Sequence, residues 1–341
     1  MRSAVLRLTQ LTEGGKVPSS SQEEDIRAHD LPRQHDPSNS HGRRLSTSHA
    51  VAHQQGYFTK EGVKVCKSTV NGSVDQFQQL FNGTFDIIST TTDGTVNRFV
   101  NGDTLFLNGN QSTAVPAPVV QLVAGSYQTL DLSLWGCSAA VPTLANLSTN
   151  ELGVDAPDSG FAFSARAYLT GQGLAYNATA NIKTARALPG QYSSVNVGGS
   201  RYTLVQACKV NATIINAPST IVAMAPGTNI TLLDGGQLNG PPGTVQNSGY
   251  TVRRGWPEQG NNAASLRAFL GALIRGSRFM RDPANRDVMV SKFVNASVTG
   301  QLGGGVVLNR DQAAAYLDVV NSATDGENFD AGLNQLATRR F

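Results

Sequence analysis

From Thr47 onward, apolar and polar positions fall into a repeating order of helix, strand and polar turn. Ala50 and Val51 lie on a short helix that Gly56 stops. Val63 and Val65 alternate with Lys64 and Cys66, which predicts a strand over 63–69. The Ser73-x-x-Gln76 spacing predicts a capping box at the head of the next helix, where Phe77, Leu80 and Phe81 form one apolar stripe before Asn82-Gly83 ends the run. A compact apolar segment at 85–89 reads as a buried strand. Thr90-Thr91-Thr92-Asp93-Gly94 is then a polar loop opening a helix over 95–100, closed by Gly102.

The stretch 101–117, with Asn108-Gly109-Asn110, reads as loop. Strands follow at 119–124 and 130–135, the second leaving the first lobe, and Leu152-Gly153-Val154 opens a second one. Asp155 to Phe161 joins that strand to a helix with Phe161, Ala165, Tyr168 and Leu169 facing inward. Gly198-Gly199-Ser200-Arg201 repeats the arrangement ahead of a helix over 202–207, and a strand over 212–216 ends in Asn216-Ala217-Pro218. Strand-to-helix loops of this kind present backbone N–H groups and a positive helix end to an anion or carbonyl oxygen, although the same residues also serve as plain N-caps. A strand over 230–233, a returning strand over 249–253 and helices over 263–281, 283–293 and 310–322 complete the pattern.

The predicted class is α/β in two lobes, each a mixed sheet flanked by helices, with the C-terminal helices packed on lobe one. Residues 46–125 plus 249–341 form lobe one and 136–234 form lobe two, while 126–135 and the Gly/Pro-rich 235–248 cross between them. Residues 1–45 carry Gln22-Glu23-Glu24-Asp25 and His29, His35 and His41, with few β-branched apolar positions after Leu11, and are read as a disordered tail.

Composition narrows the function. With 40% apolar residues in 341, the chain can build real cores, and 15% charged residues with a net charge of +3 leave no basic stripe for nucleic acid. No apolar run approaches the roughly 20 residues that span a bilayer, and Met1 to Leu8 lacks the apolar core of a signal peptide. Eight Asn-x-Ser/Thr sequons, at Asn71, Asn82, Asn110, Asn146, Asn177, Asn211, Asn229 and Asn295, are about twice what this composition gives by chance and point to an extracellular or secretory glycoprotein, with the cytoplasm as the alternative. Cys66, Cys137 and Cys208 show no CxxC pair, so no metal site is expected, and one bridge with one free thiol stays open. His49 and His53 stand four apart on one predicted helix without an acidic or cysteine partner.

In the segments Gln55-Gly56-Tyr57-Phe58-Thr59-Lys60-Glu61-Gly62, Gly72-Ser73, Gly83 to Ile87, Val154 to Phe161, Val210 to Pro218, Arg253 to Trp256 and Arg281 to Asn285, the chain resembles type II periplasmic binding proteins. The branch is that of sulfonate, taurine, nitrate and thiamine-precursor binders, and the resemblance implies a fungal-type homologue. The resemblance implies a small ligand held between the lobes, faced by Ser73, Thr90, Thr91, Thr92 and Asp93 from lobe one. From lobe two it implies Asp158, Ser159, Gly160, Phe161, Gly199, Arg201 and Asn216, with Arg201 as a candidate clamp on an anionic group. The family's first strand stands just before its first helix, and Arg43-Arg44-Leu45-Ser46 offers none, so that strand is expected to be missing.

The leading reading is a monomeric, non-catalytic small-molecule binder without cofactor, metal, nucleic acid or identifiable protein partner. The fungal thiamine-pyrimidine synthases share the fold, but Thr90 and Gly94 stand where their cofactor lysine and consumed histidine would be. An enzyme of that type and a degenerate, non-binding paralogue are the alternatives.

Overall fold

The structure, a computed structural model, describes residues 3–10, 47–70, 73–107, 110–127, 132–148, 150–154, 160–176, 191–196, 200–234, 238, 248–299, 302 and 305–323. In chain order, lobe one begins with β1 (Ser3–Gln10), α1 (Thr47–Gln54), α2 (Tyr57–Lys60), β2 (Val63–Val70) and α3 (Ser73–Phe81). It continues through β3 (Ile87–Thr91), α4 (Thr92–Asn101), β4 (Asp103–Leu107), β5 (Asn110–Val115) and β6 (Val120–Tyr127). Lobe two comprises β7 (Ser133–Cys137), β8 (Glu151–Val154), α5 (Gly160–Gly171), β9 (Ala175–Tyr176), β10 (Gln191–Asn196), α6 (Arg201–Gln206), β11 (Ala212–Ile215), α7 (Ser219–Ala223) and β12 (Ile230–Leu232). β13 (Ser248–Arg253) returns to lobe one, and α8 (Asn262–Arg281), α9 (Arg286–Val298) and α10 (Arg310–Ala323) follow. The predicted two-lobed α/β architecture is present.

The lobe-one sheet has the order β2-β1-β3-β13-β6. β1 pairs antiparallel with β2 from Ser3↔Val70 to Gln10↔Val63, and antiparallel with β3 from Ala4↔Ser89 to Leu6↔Ile87. This corrects the expectation of a disordered tail over 1–45 and of an absent first strand. The remainder of that segment, including its three histidines, lies outside the described residues. The period-two alternation is the physical reason: Leu6 is buried and Arg7 exposed. Asp86 seals the edge, its N–H donating to the Leu6 carbonyl at 2.8 Å and its carboxylate accepting from the Leu8 N–H at 3.0 Å. A strand running opposite to its neighbours enters the sheet from the far end, so it need not adjoin α1 in sequence.

The lobe-two sheet has the order β12-β7-β11-β8-β10-β9, with β8, β9, β10 and β11 parallel and β7 antiparallel to β11 and β12. Ser133–Cys137 is buried within this sheet, so the expected crossing over 126–135 is shorter, between the ends of β6 and β7. The expected loop over 101–117 is instead the antiparallel pair β4-β5, in which Leu107 pairs with Asn110. Asn-Gly is the strongest short hairpin signal, and it was outweighed by the polar run.

Leu6, Phe58, Val63, Ile87, Tyr250 and Phe269 form the lobe-one core. α8 closes it against α1: a Cβ on Gly276 would stand 2.5 Å from the Ser48 carbonyl, so the two helices meet at backbone distance. The C-terminal helices pack on lobe one as expected: α8 covers its core, and α9 reaches α1 through Val51 and through Lys292 Nζ, which donates to Gln54 Oε1 at 2.7 Å. Met289, Phe293, Leu308 and Tyr316, from α9, α10 and their connection, join Trp135, Tyr202 and Ile215 of lobe two, because their apolar faces continue that lobe's core.

Cys137 and Cys208 form a disulfide and Cys66 is free and exposed, which resolves the cysteine pairing. α6 ends in a Schellman turn, with Lys209 N–H on Leu204 O at 2.9 Å and Cys208 N–H on Val205 O at 3.0 Å. Cys208 occupies the left-handed position usually given to glycine, with φ of 51°.

Candidate functional site

β2 and β3 lead at their C-terminal ends into α3 and α4, while β8, β10 and β11 lead into α5, α6 and α7. In an open α/β sheet this edge is where ligands bind. The two lobes meet where α4 contacts α5.

On the lobe-one side, Thr91 caps α4: its hydroxyl accepts from the Gly94 N–H at 3.3 Å. The helix therefore begins at Thr92, three residues before the predicted start. Thr90 is buried on β3, and the buried Thr92 hydroxyl has no hydrogen-bond partner among the described residues. Burial raises the Asp93 carboxyl above its ordinary pKa. Beneath them, the Thr95 hydroxyl meets that of Thr251 at 2.7 Å, tying α4 to β13, and the Arg98 guanidinium lies 4.3 Å from the Phe77 ring centroid. Gln76 donates to the Ser89 carbonyl at 2.6 Å, so its side chain holds α3 to β3.

On the lobe-two side, Arg201 opens α6 as a buried residue. Its Nε donates to the Ile214 carbonyl at 2.7 Å and its guanidinium lies 4.9 Å from the Phe161 ring centroid. These contacts, beginning with α6 and β11, fix a positive charge at the strand ends. Asn216 is buried just past β11, and its carbonyl accepts from the Ser219 N–H at 2.9 Å as α7 begins. The Ser200 hydroxyl caps α6 by accepting from the Thr203 N–H at 3.4 Å.

Thr90, Thr91, Thr92 and Asp93 thus stand together on lobe one, and Phe161, Arg201 and Asn216 on lobe two. Ser73 and Gly160 begin α3 and α5 at the same strand-end edges. Asp158, Ser159 and Gly199 lie outside the described residues. Sequence reasoning missed Arg98 and Thr251; the usable signal was that Gly94, Thr95 and Arg98 share the inward face of α4.

Neither helical histidine belongs to this edge. His49 is buried in lobe one, with its ring 4.9 Å from Phe58 and 6.0 Å from Phe269, and desolvation, then Lys67 and then His53, lowers its pKa to about 3. His53 is exposed. Among the described residues, no three His, Cys, Asp or Glu side chains cluster as a metal site, and no helix is long and apolar enough to cross a membrane.

No family model matches the chain, and no curated protein matches it. Solved structures do. The alkanesulfonate-binding protein SsuA from Xanthomonas axonopodis pv. citri, bound to MOPS, gives a TM-score of 0.54 at 13% identity over 80% of this chain and 80% of that one. The periplasmic aliphatic sulphonate binding protein SsuA from Escherichia coli gives 0.50 at 15% identity over 86% and 90%. A conserved Candida albicans gene product exhibiting the generic periplasmic binding protein structural fold gives 0.50 at 12% identity over 87% and 88%. At such identities the likeness is one of fold.

Proposed function

We propose that this chain, whose fold is that of the periplasmic binding proteins, is an exported, monomeric, non-catalytic binder of a small organic anion between its lobes. The observation that supports this reading is the contact of α4 with α5 between the lobes, with Arg201 held beside Phe161 at the lobe-two strand ends. Arg201 takes the anionic group, sulfonate-like or thiamine-precursor-like, with its guanidinium already positioned by Ile214 and Phe161. The lobe-one threonines and Asp93 take the polar end, and differential affinity for the closed form brings the lobes together. Sulfonate binding by two of the structural neighbours supports this choice of ligand class.

Isothermal titration with alkanesulfonates, aminopyrimidines and amino-acid-like compounds tests the reading. One class is expected to bind at one site per chain, with Arg201→Ala weakening it at least about tenfold, the cost of one charged hydrogen-bonding partner. Absence of binding throughout the panel by folded protein overturns it. One observation favours the enzymatic alternative: the raised Asp93 pKa suits proton transfer. Turnover of a bound aminopyrimidine that Asp93→Asn abolishes, while binding persists, would establish that second reading.

A further inference from the structure

Side chains are described at five of the eight sequons, and they differ sharply. Asn82-Gly83-Thr84 forms the turn between α3 and β3, with Asn82 and Thr84 both exposed. Gly83 has φ of 79°, a left-handed turn position. The Asn82 Oδ1 accepts from the Thr84 N–H at 3.0 Å and from the Thr84 hydroxyl at 2.6 Å. The sequon hydroxyl is therefore already seated on the amide it must activate. Among the described residues, nothing accepts a hydrogen bond from Asn82 Nδ2.

The other four described sequons engage their amide or hydroxyl groups elsewhere. Asn211 Nδ2 donates to Asn150 Oδ1 at 2.5 Å, and the fully buried Thr213 hydroxyl donates to the Gly153 carbonyl at 2.7 Å. At Asn295, the buried Ser297 hydroxyl donates to the Val294 carbonyl at 2.7 Å and accepts from the Leu308 N–H at 2.9 Å. Asn229 directs Nδ2 toward Cys208 Sγ at 3.3 Å, while Thr231 is joined to Ser138 at 2.8 Å. Asn146 is exposed, but its Oδ1 accepts from Thr143 at 2.5 Å.

We propose that Asn82 carries an N-linked glycan. Asn82 Nδ2 forms a bond to the anomeric carbon of an oligosaccharide held on a lipid diphosphate. The bond from that carbon to the diphosphate oxygen breaks, the diphosphate leaves with the electron pair, the amide nitrogen loses one proton, and nothing is oxidised or reduced. The Cys137–Cys208 disulfide is an independent mark of the oxidising compartment in which such transfer occurs. The turn precedes β3, at the end of the strand opposite Thr90–Asp93, so the sugar leaves the cleft open. The inference stands whether or not a ligand binds there.

Glycopeptide mapping of the full chain purified from its source tests this, with enzymatic deglycosylation in heavy-oxygen water converting each formerly glycosylated Asn to labelled Asp. Asn82 is expected to be labelled in most molecules, and Asn211 and Asn295 in few. Thr84→Val should remove the label from Asn82, while Thr84→Ser, which keeps the hydroxyl, should retain it. Thr84 is exposed, so both variants are expected to fold. Unlabelled Asn82 in the native protein, or labelling that survives Thr84→Val, overturns the proposal.

Discussion

In lobe two, β8, β10 and β11 lie parallel and each leads forward into its own helix. In lobe one the middle place, between β2 and β3, is filled by β1 running opposite to both. A place in a sheet is set by what its neighbours need. Two hydrogen-bonding edges and a period-two side chain pattern suffice, and chain direction is secondary. It also has a consequence for the site. Because β1 is reversed, the site edge of lobe one is built, among the described residues, from the junctions after β2 and β3, while that of lobe two is built from three.

The largest effect is expected at β1. Leu6→Asp places an unpaired carboxylate in the lobe-one core and should cost about 4 kcal/mol or more. Hydrogen exchange should show lost protection in β2 and β3 and retained protection in β8 and β11. Equal loss in both sheets would mean that the lobes do not differ in dependence on β1. Next is the covalent tie of lobe two. Replacing Cys137 and Cys208 by Ser releases a closure of 71 residues and should cost about 3 kcal/mol in denaturant unfolding, since cross-links restrict the unfolded chain.

A smaller effect, confined to lobe one, comes from His49. Its folded pKa of about 3 lies below the unfolded value of 6.5, so between those values the unfolded chain binds more protons and stability falls as pH falls. The loss from pH 7 to pH 5 should be about 2 kcal/mol, and His49→Leu should flatten that slope in urea titrations. The smallest is at Thr95. Breaking its hydroxyl pair with Thr251 by Thr95→Val should cost about 1 kcal/mol, and adding Thr251→Val should recover part of it in a double-mutant cycle.

Much of lobe two was legible because its strands are short apolar runs with local connections, as at Leu152 to Val154 and Ala212 to Ile215. Most of lobe one was legible from α1 onward. β1 was not, since nothing local couples Leu6 to Ile87, and neither was β4-β5, whose Asn108-Gly109 signal lay within a polar stretch. At the site, Thr90 to Asp93 and Phe161 could be placed from strand-to-helix grammar. The ring under Arg201 could not, because cation–π pairing joins residues 161 and 201 from different helices. His49 looked like a companion of His53 on one face; burial separates them, one within the aromatic core and one in solvent.

The reversed strand also sets an order on synthesis. As the chain leaves the ribosome, β1 emerges with two open edges and must wait for β2 and then β3 before either is covered, a period in which it can pair wrongly. The next strand of that sheet after β6 is β13, and every strand of lobe two is made in between. Lobe two can therefore complete its sheet while the lobe-one sheet, drawn from residues 3 to 253, is still open.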